Sequence, residues 1–172
     1  MGEKRLLVEG LTVAYEGFFY VKELHKLIRR FTAERGYDPH DILHEVKVKE
    51  DGRYIIIDMR PEKGVSDYIV FRIQIKMALN KITDAEIDLD GKKIKINHGS
   101  VKVVINGFII SDYESDWQTG AKSVFFKALF DKFIYKKNMD EMDAMLKKDC
   151  MLLKHEISSF LNLNKYVNQV MD

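Results

Sequence analysis

Residues 67–77 read Asp-Tyr-Ile-Val-Phe-Arg-Ile-Gln-Ile-Lys-Met, and their alternation decides the architecture. Ile69, Phe71, Ile73, Ile75 and Met77 fall on one side of an extended chain. Tyr68, Val70, Arg72, Gln74 and Lys76 fall on the other. Such a strand, running on to about Leu79, has one apolar face and one mostly polar, partly basic face. The apolar face needs a cover.

On the N-terminal side, Leu43–Lys49 alternates His44, Val46 and Val48 against Glu45, Lys47 and Lys49. Asp51-Gly52 then signals a tight hairpin turn, because both central positions of the favoured turn need positive φ. Arg53–Arg60 returns as a strand, and Pro61–Ser66 reads as a loop. Further upstream, Leu6–Tyr15 reads as a first strand ended by Gly17. An amphipathic helix over Phe18–Arg35 follows, with Leu24, Leu27, Ile28 and Phe31 at helical spacing. Gly36 suits the residue just past that helix, and Pro39 prevents its continuation.

On the C-terminal side, Ala85–Leu89 and Lys92–Asn97 form a hairpin around Asp90-Gly91. His98-Gly99 precedes a last strand over Val101–Ile110, in which Asn106-Gly107 marks a bulge or a turn. After Ser111 the period changes to about 3.6. One helix is predicted from about Val124 to Lys137. A second carries Met142, Met145, Leu146, Leu152, Leu153, Ile157, Phe160 and Leu161. Asn138 with Glu141 has the form of a capping box and marks a break or a kink. The expected fold is a single α+β domain over residues 1–172. Its antiparallel curved sheet of about six to seven strands is covered by an N-terminal helix and long C-terminal helices. Strand, helix and meander occupy 6–111, and the helical cover occupies 117–163.

The 172 residues are 46% hydrophobic and 32% charged with a net charge of +1. That balance suits a soluble domain and gives neither nucleic acid nor an anionic membrane a bulk attraction. Cys150 is the sole cysteine, so neither an internal disulfide nor a thiolate metal cluster is expected. The opening residues reach Glu9 after three apolar positions, so no signal peptide is expected. Leu6 stands where a myristoylation motif requires Ser or Thr. No apolar run approaches the roughly 18 residues of a membrane span. A cytoplasmic location is expected.

The chain carries no phosphate-cradling glycine loop and no nucleophile elbow. Its five histidines are scattered, without a pair at metal spacing, so neither metal nor cofactor is expected. Asp84, Glu86, Asp88 and Asp90 would share one strand face. Lys93 and Lys95 follow across the Asp90-Gly91 turn, and cross-strand ion pairing accounts for the ladder better than a cation site. Cys150 has cationic neighbours in Lys147, Lys148 and Lys154 but reads as a partly buried packing residue. Tyr54, Tyr68, Arg72, Lys76, Lys93 and Lys95 are candidates for contact with a macromolecule, since basic residues among tyrosines suit phosphates and exposed bases. Residues 42–111, however, hold 12 Lys plus Arg against 10 Asp plus Glu, too small a surplus for a nucleic-acid footprint.

The order of strand (Leu6–Tyr15), helix (Phe18–Arg35), antiparallel strands (Leu43 to Ile110) and C-terminal helices (Trp117 to Leu163) resembles the helix-grip fold of the START and Bet v 1-like superfamily. That resemblance implies a cavity between sheet and C-terminal helix, used for hydrophobic ligands. Phe71, Ile73, Ile75, Met77, Phe126, Phe130 and Met142 would be its inward residues. The leading expectation is a non-enzymatic binding protein holding an apolar small molecule or a partner segment there. A homodimeric interaction factor docking on a ribonucleoprotein surface such as a ribosome is the alternative. A small enzyme acting on a hydrophobic substrate ranks third, because no catalytic acid–base pair can be placed.

Overall fold

The structure, a computed structural model, describes residues 3–66, 69–111 and 135–169, and of 135–137 and 166–169 only the backbone. The elements are β1 (Glu3–Phe19), α1 (Val21–Glu34), β2 (Asp41–Lys49), β3 (Gly52–Met59), β4 (Glu62–Ser66), β5 (Ile69–Leu89), β6 (Lys92–Ser111) and α2 (Tyr135–Gln169). Six antiparallel strands make an open sheet in the order β1-β6-β5-β3-β2, with β4 also on β5. The first helix follows β1 rather than opening the chain.

Residues 61–66, expected to be a loop, extend the sheet instead. β3 pairs with β5 from Ile55↔Leu79 to Met59↔Ile75, and β4 continues along it from Glu62↔Arg72 to Ser66↔Ile69. Pro61 interrupts the ladder because it lacks an N–H. Its carbonyl still accepts from Ile73 N–H at 3.0 Å, so the alignment is kept.

Two further strands are longer than expected. β5 runs past Leu79 through a bulge at Lys81, whose φ is +54°. Glycines on both flanking strands admit that bulge. A Cβ on Gly52 would lie 2.8 Å from the Lys81 carbonyl carbon, and one on Gly99 would lie 2.6 Å from Ile82 Cδ1. Hence Asp51-Gly52 does not form the turn centre. Lys49 pairs with Gly52, and Glu50 and Asp51 make the turn. Asp90-Gly91 does form one, with φ of +51° and +79° between the paired Leu89 and Lys92. β6 passes unbroken through His98-Gly99 and Asn106-Gly107. The bulges beside Gly107 belong to β1, where the Asn106 Oδ1 accepts from Gly10 N–H at 2.7 Å.

α1 ends as its sequence requires. Gly36, at φ +82°, donates to Ala33 O at 3.0 Å and Tyr37 donates to Thr32 O at 2.9 Å, the paired bonds of a Schellman cap. α2 is continuous through Asn138, so of the two outcomes that the sequence left open there, a break is absent. The helix expected over 124–137 lies almost wholly outside the described residues.

Both helices cover the same sheet face. Leu146, Cys150, Leu153, Ile157 and Leu161 form the buried stripe of α2, and Leu24 and Ile28 are buried on α1. Gly107 lets α2 approach closely, since a Cβ there would lie 3.0 Å from Cys150 Sγ. Beneath the helices Phe71, Ile73 and Ile75 have no exposed surface. Each such side chain contributes roughly 1.5–3 kcal/mol of burial. Asp149, also buried, accepts from Tyr37 Oη and Arg35 Nη1, each at 2.9 Å, and fastens α2 to the end of α1.

Candidate functional site

The inward candidates under the C-terminal helix are packed rather than open. Phe71, Ile73 and Ile75 expose nothing and Met77 almost nothing, so no water-sized space borders the first three. Met142 is partly buried against the same core. Phe126 and Phe130 lie outside the described residues.

The structure opens a different space. A cleft of about 830 Å³ lies between the first half of α1 and the far end of the sheet. Val46 supplies exposed apolar surface and the nearly buried Ile55, Ile57 and Ile82 close the floor, because the inner faces of β2 and β3 continue beyond the cover of α2. Polar groups ring this surface in two clusters.

One cluster fixes the start of α1. Tyr20 provides no side-chain cap, and the first helical N–H, on Val21, donates instead to Asn97 Oδ1 at 3.2 Å. Asn97 Nδ2 donates to Asp84 Oδ1 at 2.8 Å, and Arg53 Nη2 pairs with the same oxygen at 2.6 Å. Three strands thus hold the helix end above the cleft. The acidic ladder behaves as an ion-paired surface: Glu86 stands opposite Lys95, Asp88 opposite Lys93, and Lys93 Nζ is 3.8 Å from Glu86.

The second cluster joins α1 to β2. Asp41 Oδ2 lies 3.0 Å from Arg29 Nη1 and 3.3 Å from His25 Nε2. His25 Nε2 makes no formed hydrogen bond, and its contact with Asp41 is ionic only when the imidazole is protonated. Burial chiefly, against the attraction of Asp41 and with help from Arg29 and His44, lowers the His25 pKa below the ordinary imidazole value. His44 meets His25 edge-on at 6.1 Å between ring centroids. The sequence gives a partial signal of this wall, since His44 and Val46 share a strand face. Nothing in it places that face against His25.

The basic candidates divide between the two faces. Tyr54 donates to Asp51 at 2.8 Å and packs under Lys49, while Arg72 pairs with Glu62, and Lys76 is exposed. Because β6 is unbroken, Lys93 and Lys95 share the face of Val101 and Val103, and Lys95 lines the cleft. Tyr68 lies outside the described residues. Cys150 is fully buried, and burial, with the charge of Asp149, pushes its thiol up to about 12. A buried thiol held in its neutral form is the opposite of the electropositive, accessible setting that activates a cysteine.

Among the described residues no group of three or more His, Cys, Asp or Glu side chains could hold a metal ion, and no helix is long and apolar enough to cross a membrane. The antiparallel sheet with its C-terminal helix is compatible with a helix-grip type of α+β fold. No protein-family model matches the chain, and a search of curated proteins likewise finds no match.

Proposed function

We propose that this protein is a non-enzymatic binding module of the helix-grip type, whose curved sheet holds an apolar small molecule beneath α1. The observation that carries this reading is the cleft of about 830 Å³, floored by Val46, Ile55, Ile57 and Ile82 and ringed by fixed polar groups. Its volume suits a drug-sized ligand, and an apolar floor with a few positioned polar groups is the usual composition of such sites. The His25 and His44 wall would meet a polar end of the ligand, with the Asn97, Asp84 and Arg53 cluster at the opposite rim. The basic residues of the outer face favour a polyanion little, since Arg72 and Arg60 are paired with Glu62 and Asp58.

Methyl-detected NMR with 1-anilinonaphthalene-8-sulfonate as the probe tests the site. Shifts should concentrate on Ile55, Ile57, Ile82 and Val46, and Val46→Asp should weaken binding by about tenfold, equivalent to 1.4 kcal/mol. Saturable shifts confined to other residues, or unchanged binding in Val46→Asp, would refute the assignment.

A further inference from the structure

We infer that the outer edge of β2 is a self-association surface, pairing antiparallel with β2 of a second copy about a twofold axis through Val46. This goes beyond the proposed function and does not depend on it.

β1 carries two register shifts between Leu6 and Leu11, with Gly10 at φ +67°, and such bulges blunt that part of its edge. From Leu11 to Phe19 its register is unbroken, so the choice of β2 rests on its side chains. β2 pairs with β3 on one side and with no strand among the described residues on the other. From Leu43 to Lys49 it is free of bulges. This regular stretch also exposes apolar side chains: Leu43 is 45% exposed, Val46 49% and Val48 77%. A strand left solvated would be expected to carry polar residues at those places.

The sequence of β2 selects the occupant through its charges. A twofold axis normal to the sheet preserves the faces, so a residue must sit on the axis and its neighbours pair symmetrically around it. With Val46 on the axis, Glu45 faces the second copy's Lys47, and Lys47 faces its Glu45. Val46 meets itself, His44 meets Val48, and Leu43 meets the aliphatic stem of Lys49. Moving the axis by one residue sets Glu45 against Glu45 or Lys47 against Lys47, which like-charge repulsion opposes. Because His44 and Val46 line the cleft, the second copy would extend its apolar floor across the axis.

Sedimentation velocity and native mass spectrometry of the full chain test the inference. The wild type should show a concentration-dependent species of twice the chain mass. Glu45→Lys and Lys47→Glu, both exposed and therefore neutral to folding, should each weaken it by at least about tenfold. An equimolar mixture of ¹⁵N-labelled Glu45→Lys with unlabelled Lys47→Glu should recover dimers of mixed mass, since each cross-strand position again opposes Lys to Glu. Within a chain Glu45 and Lys47 also lie 3.4 Å apart, but mixing cannot restore that contact, so recovery reports the interface alone. A wild type monomeric at hundreds of micromolar, a dimer indifferent to the single changes, or a mixture that fails to form mixed dimers would each overturn the inference. The single changes leave this chain's own lining of the cleft intact, so probe binding to a monomer still tests the site when the dimer fails.

Discussion

Asp149→Ala removes the carboxylate that joins α2 to the end of α1. Its side chain is 10% exposed and accepts from Tyr37 Oη and Arg35 Nη1, each at 2.9 Å. Tyr37 is only 2% exposed, so its hydroxyl would be left buried without that acceptor, at a cost of about 1–3 kcal/mol. Arg35 is 34% exposed at its side chain and turns to water, which limits its share to about 0.5–1 kcal/mol. Asp149→Ala should therefore destabilise by about 2–4 kcal/mol, and Asp149→Asn, which retains an acceptor for Tyr37, by about half as much. Tyr37→Phe alone should cost about 1–2 kcal/mol, yet in the Asp149→Ala background it should cost little, because the stranded hydroxyl has gone. Urea unfolding followed by far-ultraviolet circular dichroism measures all four variants against the wild type at a common m-value. Destabilisation below about 0.5 kcal/mol for Asp149→Ala, or strict additivity with Tyr37→Phe, would refute the linkage.

Three other outcomes follow from the packing. Gly107→Ala should destabilise by about 1–3 kcal/mol, since its Cβ would lie 3.0 Å from Cys150 Sγ, and adding Cys150→Ala should recover part of that loss in the same unfolding assay. Asn97→Ala takes the acceptor from the Val21 N–H and should cost about 1 kcal/mol, with faster hydrogen exchange confined to the first turn of α1. Alkaline pH should destabilise through two buried neutral groups. The Cys150 thiol is raised to about 12 and the Tyr37 hydroxyl is raised by burial and by Asp149, so the unfolded chain loses these protons first. Their contribution is complete below about pH 8.5 and declines by about 1.4 kcal/mol per pH unit for each group titrating in the unfolded state. The difference between wild type and Cys150→Ala should accordingly shrink as pH rises from about 9; a difference independent of pH would contradict it.

Where bonding is local, the sequence is legible. Gly36 closes α1 because the left-handed conformation at that position is cheap only without a Cβ. Asp90-Gly91 forms its hairpin turn for a related reason, and the buried face from Ile69 to Met77 follows from strand periodicity alone. Asp51-Gly52 misleads because the same glycine also serves a long-range demand, admitting the Lys81 bulge of a neighbouring strand. Pro61–Ser66 misleads because a proline at a strand break resembles a proline in a loop. Only the pairing of Glu62 with Arg72 tells them apart.

The candidate site is the least local feature of all. His25, Asp41, His44, Asp84 and Asn97 come from one helix and three strands, and each has an ordinary structural use where it stands. Sequence by itself determined the antiparallel sheet, its apolar face and the helices that cover it, because side-chain periodicity and turn chemistry act over a few residues. Tertiary structure decided that Phe71, Ile73 and Ile75 are packed without exposed surface and that a cleft opens between the first half of α1 and the far end of the sheet. It also left β2 as a regular edge. Those outcomes depend on where two helices settle across a sheet of fixed width, and that is set by close approaches such as Gly107 to Cys150 and by the bond from Asn97 to the start of α1.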